Sequence, residues 1–195
     1  MAAAAQELAR TALERRCLDE VRRASDDVDG PMERHGTRCF LLIERLAARR
    51  GADIDREVAL CAAFVHDIGI YPSVSRGGVY TDESGELAAQ MFAEVSAPLE
   101  RARLCADACA YHHARRPQWE RGTEVELLRL ADQIEVSGGL RRNGLSREEI
   151  RATFAAVPRT GFYREIGRLL LRALRDRPAT LPRIFKRESR RRSGL

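Results

Sequence analysis

Lysine is almost missing from this chain. Lys186 is the only one, so 33 of the 34 basic residues are arginine. Long apolar runs are missing too: none approaches the ~18–20 residues a membrane helix needs, so no membrane partner is expected. The opening MAAAAQELARTALERRCLDE is rich in alanine, but Glu7, Arg10 and Glu14 interrupt it. Without a hydrophobic segment or a cleavage site it does not read as a secretion signal, and a cytoplasmic location is expected. No Cys-x-x-Cys pair occurs. The five cysteines, Cys17, Cys39, Cys61, Cys105 and Cys109, read as buried small hydrophobes in a reducing compartment, although Cys105 and Cys109 share one helix face. Runs of β-branched residues, hairpin signals, internal repeats and low-complexity linkers are all lacking, which argues against a sheet protein or a string of domains.

What remains is a 195-residue chain of 21.9 kDa, 44% hydrophobic and 32% charged, which suits one globular domain with a real core. Its net charge of +5 is largely a tail property. Residues 186–195 hold five basic residues and one acidic residue, leaving +1 for the rest. The tail reads as a solvated, disordered terminus, and nucleic acid is not an expected partner because no reading motif accompanies the charge.

Alanine, leucine, arginine and glutamate dominate, and the pattern is helical nearly throughout. Helices are expected over about 3–23, 32–49, 55–68, 83–94, 99–114, 124–136, 147–155 and 162–175, with a short turn starting near Thr180. The segment 55–68 is mostly apolar and should be central. Ser146 with Glu149 makes a capping-box signature. The stretch YPSVSRGGVYTDESG, rich in glycine and serine, reads as a long loop. Residues 1–29 are expected to pack on or extend the domain, 30–185 to form the domain itself.

Four histidines occur: His35, His66, His112 and His113. His66 is followed by Asp67, and imidazole with carboxylate is a good ligand pair for a divalent transition metal. Asp132 lies in the apolar helix LLRLADQIE, where a buried carboxylate is costly unless paired or metal-bound. With so many arginines an ion pair explains Asp132 by itself. His35 alone would also read as an ordinary core or capped histidine. The order changes the balance: His35, His66-Asp67, His112 and Asp132 fall on successive helices.

This ordered set, carried by MERHGTRCFLLIERLA, ALCAAFVHDIGIYP, AYHHARRPQW and ELLRLADQIE, resembles the HD superfamily of metal-dependent phosphohydrolases over about residues 30–140. The resemblance implies an all-α helical bundle around a buried metal site. It implies His35, His66, Asp67 and Asp132 as metal ligands, His112 as an additional histidine near substrate or a second ion, and His113 as a group orienting a ligand. One divalent transition metal is expected, with zinc, iron, manganese, cobalt and nickel not distinguished. A second ion is not favoured, because many two-metal members carry a histidine where TDESGELAAQMF has Asp82 and Glu83. Ile70 stands where many signalling members have lysine, which counts against a cyclic-dinucleotide phosphodiesterase.

Catalytic roles are expected for Asp67, for His112 as acid or base, and for Glu83 as a further candidate. Arg38, Arg76, Arg115 and Arg116 are candidates to bind a phosphate group. Tyr71, Tyr80 and Trp119 flank the site. The expected activity is hydrolysis of a small phosphate ester, a nucleotide among the options. The alternative is hydration of a nitrile-like carbon, as in cyanamide hydratases, which an apolar pocket without converging arginines would favour. A di-iron oxygenase or a non-catalytic module ranks lower. The first helix and the region after about 160 lie outside the metal core and leave homo-oligomerisation open.

Overall fold

The computed structural model describes residues 3–185, and the arginine-rich tail, whose expected disorder was noted above, lies outside them. Among the described residues there is no strand, and no helix is long and apolar enough to cross a membrane. In chain order the helices are α1 (Ala3–Leu8), α2 (Ala12–Ser25), α3 (Pro31–Arg50), α4 (Arg56–Val65), α5 (Tyr80–Glu94), α6 (Leu99–Tyr111), α7 (Thr123–Val136), α8 (Arg147–Ala156), α9 (Phe162–Asp176) and α10 (Leu181–Phe185). Short 3-10 turns fall at Ile68–Ile70 and Trp119–Arg121.

The expected first helix over 3–23 is two helices. Thr11 and Glu14 form a capping box that starts α2 anew, satisfying backbone N–H groups that a continuous helix would have bonded internally. The Glu14 carboxylate also accepts from Arg56 on α4, so the break ties the N-terminal segment to the centre of the bundle. The helix expected over 55–68 ends earlier, at Val65, with His66 as its C-cap. Conversely α5 begins at Tyr80, three residues before the expected start, so the glycine-rich loop is shorter than its composition suggested. The Ser146–Glu149 capping box forms as expected.

α4 is the axis of the fold. Every residue from Val58 to Val65 is buried, as a helix apolar on all sides requires. α2, α3, α5, α6 and α7 pack around it. Two glycines permit the closest approaches. A Cβ on Gly36 of α3 would stand 2.7 Å from the Ala63 carbonyl of α4, and one on Gly69 would stand 2.2 Å from the Tyr80 carbonyl at the start of α5. Gly69 is therefore not a left-handed helix stop; it lets the turn after His66-Asp67 lie directly against α5.

Candidate metal centre

α4 and α6 end in the same way. His66 and His112 are their C-caps, and each ring bonds through Nδ1 to the carbonyl three residues back, Ala63 at 2.9 Å and Cys109 at 2.7 Å. A carbonyl only accepts, so Nδ1 carries the proton in both rings and Nε2 presents its lone pair. On α3, His35 is held from behind by Glu135 of α7, with Nδ1 3.0 Å from Oε2. This is the carboxylate–histidine arrangement that orients metal-ligating imidazoles. Glu135 is in turn gripped by Arg38, whose Nε lies 2.7 Å from Oε1, and by Arg159 at 3.2 Å.

These supports aim a set of donor atoms at one point. His35 Nε2 faces His66 Nε2 at 3.0 Å, and lies 3.6 Å from both Asp67 Oδ2 and Asp132 Oδ1. His66 Nε2 lies 3.5 Å from Asp67 Oδ2. A divalent ion with bonds of roughly 2.0–2.2 Å separates neighbouring ligands by roughly 2.8–3.6 Å across octahedral or tetrahedral edges. The donor spacing fits that range. Asp67 Oδ1, His112 Nε2 and Asp132 Oδ1 are fully buried without a well-formed hydrogen bond among the described residues. Two imidazole lone pairs facing at 3.0 Å also repel unless a cation stands between them. The residues therefore fit a metal ion.

Burial opposes charge on His35 and His112, but Cys39 and Glu135 beside the first and Asp67 beside the second raise both above the usual imidazole value. Burial drives His66 down to about 3, keeping it a neutral ligand. Burial also pushes Asp132 up to about 6, the response of a carboxylate whose positive partner is missing. At Asp67 burial works the other way from its neighbours, and the surrounding histidines, His66 foremost, hold the carboxyl well below its usual range. Cys39 packs 3.9 Å from both ring nitrogens of His35, and burial pushes its thiol up to about 11, leaving it protonated at neutral pH.

Asp67 and Asp132 also form the floor of a cavity of about 690 Å³, together with Tyr80 and His113. Tyr80 Oη lies 2.6 Å from His113 Nε2, and His113 Nδ1 lies 3.6 Å from Asp132 Oδ2. One wall is α9, and the rim carries Gln133, Ser137 and Arg141 from α7 and the turn after it. Gly138 and Gly139, both at positive φ, end α7 and turn the chain so that Arg141 reaches the rim.

Several expected site residues do other work. Arg38 is fully buried in its ion pair with Glu135, out of reach of substrate. Arg76 pairs with Glu86 on the surface, and Arg115 and Arg116 are exposed; none of these four arginines lines the cavity. Glu83 accepts from the backbone N–H of Arg76 and of Gly78 and faces Arg177, bracing the loop before α5. It does not line the cavity either. Tyr71 is buried and donates to Glu165 of α9, and Trp119 sits half-exposed away from the cavity. His112 is fully buried, 3.2 Å from Asp67 Oδ1, whereas His113 is the histidine that faces the cavity. Glu135 and Arg141 were missed. Glu135 stands one turn after Asp132 and could have been placed on the same helix face, whereas nothing in the sequence sets Arg141 apart from the other arginines.

The HD domain family model matches residues 32–137, more than half of the chain, and spans all of His35, His66, Asp67, His112 and Asp132. The chain belongs to the HD domain family. Comparison with curated proteins found no similar sequence. HD domains are metal-dependent enzymes of hydrolase type, and the buried histidine–aspartate groups here could hold their divalent ion.

Proposed function

We propose that this HD domain hydrolyses a small organic phosphate ester. The observation that carries the reading is the approach of His35, His66, Asp67 and Asp132, from α3, the end of α4 and α7, with donor atoms 3.0–3.6 Å apart and the two aspartates lining one cavity. A divalent ion held by those four side chains would act as a Lewis acid, lowering the pKa of water and offsetting charge on a phosphoryl oxygen.

The remaining chemistry belongs to the chain. Hydrolysis breaks the phosphorus–oxygen bond to the alcohol; the attacking water loses a proton and the departing oxygen gains one. Tyr80 and His113 are the proton-carrying groups that face the cavity, and their 2.6 Å contact can hold or pass that proton beside Asp132. His112, expected as the acid or base, is assigned instead to the ligand cluster, because its Nε2 lies 3.2 Å from Asp67 Oδ1 and the residue does not line the cavity. Arg141 meets the substrate anion. Among the described residues its guanidinium bonds only Gln133 Oε1, at 3.5 Å, and no carboxylate neutralises it.

The test is release of inorganic phosphate from a panel of monoesters by metal-loaded protein. His113→Ala and Tyr80→Phe should lower kcat by about 10²–10⁴ while bound metal is retained. Asp67→Ala should abolish both. A second reading, hydration of a nitrile-like carbon, is favoured by one observation: among the described residues Arg141 is the only arginine lining the cavity. Turnover of nitriles to amides, with no phosphate released from any ester, would replace the first reading with the second.

A further inference from the structure

The cavity over the metal centre is two-faced. Its floor is polar, with Asp67, Asp132, His113 and Tyr80. Its far wall is the apolar face of α9, including Ile166, Leu170, Leu171 and Leu174, closed by Ile184 of α10. Ten large hydrophobic side chains of the described chain are exposed, and four of them, Val136, Leu170, Leu171 and Leu174, line this cavity. Leu171 is 69% exposed and Leu174 52%. Exposed apolar surface concentrated in one place marks a binding site. Three arginines of α9 are engaged elsewhere, Arg168 with Glu165 and both Arg172 and Arg175 with Asp176. The cavity volume lies within the roughly 300–1,000 Å³ of pockets that hold drug-sized ligands.

From this we infer that the substrate is an amphiphile: one phosphoryl group at the metal centre, carried on an alkyl or aryl group that lies against α9. The inference rests on the proposal that this cavity takes the ester. A nucleoside polyphosphate suits the cavity poorly. Against the α9 wall its ribose hydroxyls and further phosphates would lose water without gaining partners, and among the described residues only one arginine lines the cavity.

The experiment uses the metal-loaded full chain and a series of n-alkylphosphonates with two, four, six and eight carbons, whose carbon–phosphorus bond hydrolysis does not cleave. Calorimetry should show the Kd falling about twofold to fourfold with each added CH₂, with an increasingly negative heat-capacity change. Leu171→Asp and Leu174→Asp, at exposed positions that folding does not need, should weaken octylphosphonate about tenfold or more and ethylphosphonate far less. Arg141→Gln should weaken the whole series by a similar factor. A flat series overturns the inference; a flat series accompanied by a dimer that either aspartate variant dissociates would assign the leucines to a second copy of the chain. The two proposals fail separately. Phosphate release from ethyl phosphate with a flat series sinks the amphiphile alone. A steep series with no release from octyl phosphate supports the amphiphile and sinks the hydrolase.

Discussion

Removing the carboxylate of Glu135 should damage stability and metal binding together. Glu135 is fully buried and faces three groups: His35 at 3.0 Å, Arg38 through Nε at 2.7 Å and NH2 at 2.6 Å, and Arg159 at 3.2 Å. In Glu135→Ala the fully buried Arg38 keeps one hydrogen bond, from NH1 to the Pro158 carbonyl at 2.9 Å. Leaving a buried charge without its partner costs about 3–5 kcal/mol, a large share of the ~5–15 kcal/mol that holds a domain folded. At roughly 2–4 °C per kcal/mol for this size, the melting temperature should fall by about 6–20 °C. Glu135→Gln keeps an acceptor oxygen and should lose less. Replacing both partners, Arg38→Met with Glu135→Leu, should recover part of the loss because no buried charge is then stranded. Arg159 tolerates this, since it retains the Glu135 backbone carbonyl and the Tyr163 hydroxyl. Metal affinity, read by chelator competition, should fall about 10–100-fold in every variant lacking the carboxylate, because His35 loses its support. Urea unfolding gives the stability terms. Refutation would be a Glu135→Ala protein within 0.5 kcal/mol of the parent as a rough bound, or a double variant whose loss equals the sum of its singles.

Two other consequences follow from the way the ligands are held. Gly69→Ala places a Cβ 2.2 Å from the Tyr80 carbonyl, so α5 must shift away from the His66-Asp67 turn. The melting midpoint should drop by the equivalent of about 1–3 kcal/mol, and bound metal should weaken with it; an unchanged midpoint would show that the turn is not clamped. Asp55 caps α4 and is bonded by Arg101 at 2.6 and 2.9 Å. Burial opposes its ionisation, but Arg101 and the Val58 N–H outweigh that and hold its carboxyl below the usual range. Its contribution is therefore present above the unfolded carboxylate value of about 4 and lost as pH falls through the lower folded value. Asp55→Asn should flatten the stability–pH curve in that acid region, measured by urea titration at successive pH values.

The helical architecture was legible because it is written locally, and the family because its histidines and aspartates fall in a fixed order. The apolar sequence of α4 fixes it at the centre, but the stops at His66 and His112 were not visible, and both helices were expected to run a few residues further. His35, His66, Asp67 and Asp132, the set the resemblance proposes as ligands, have neighbouring donor atoms 3.0–3.6 Å apart. Partners across helices were much harder to read. With 33 arginines in the sequence, proximity along the chain could not separate Arg38, which holds Glu135, from Arg141, which reaches the cavity. Glu83 looked available because its role depends on a loop folding back onto it and on Arg177, far along the chain. The apolar wall was invisible for a similar reason. α9 reads as an ordinary amphipathic helix, and only the packed structure puts its leucines opposite Asp67 and Asp132. The early start of α5 was missed because Val79, its N-cap, offers no side-chain hydrogen bond to announce a helix.

The most direct test of the metal centre is the metal content of protein purified without chelator, beside the His66→Ala variant. The site predicts about one transition-metal ion per chain, lost when the His66 imidazole is removed, with helix content unchanged. No bound metal, even after metal is supplied, or full retention in His66→Ala, would contradict it.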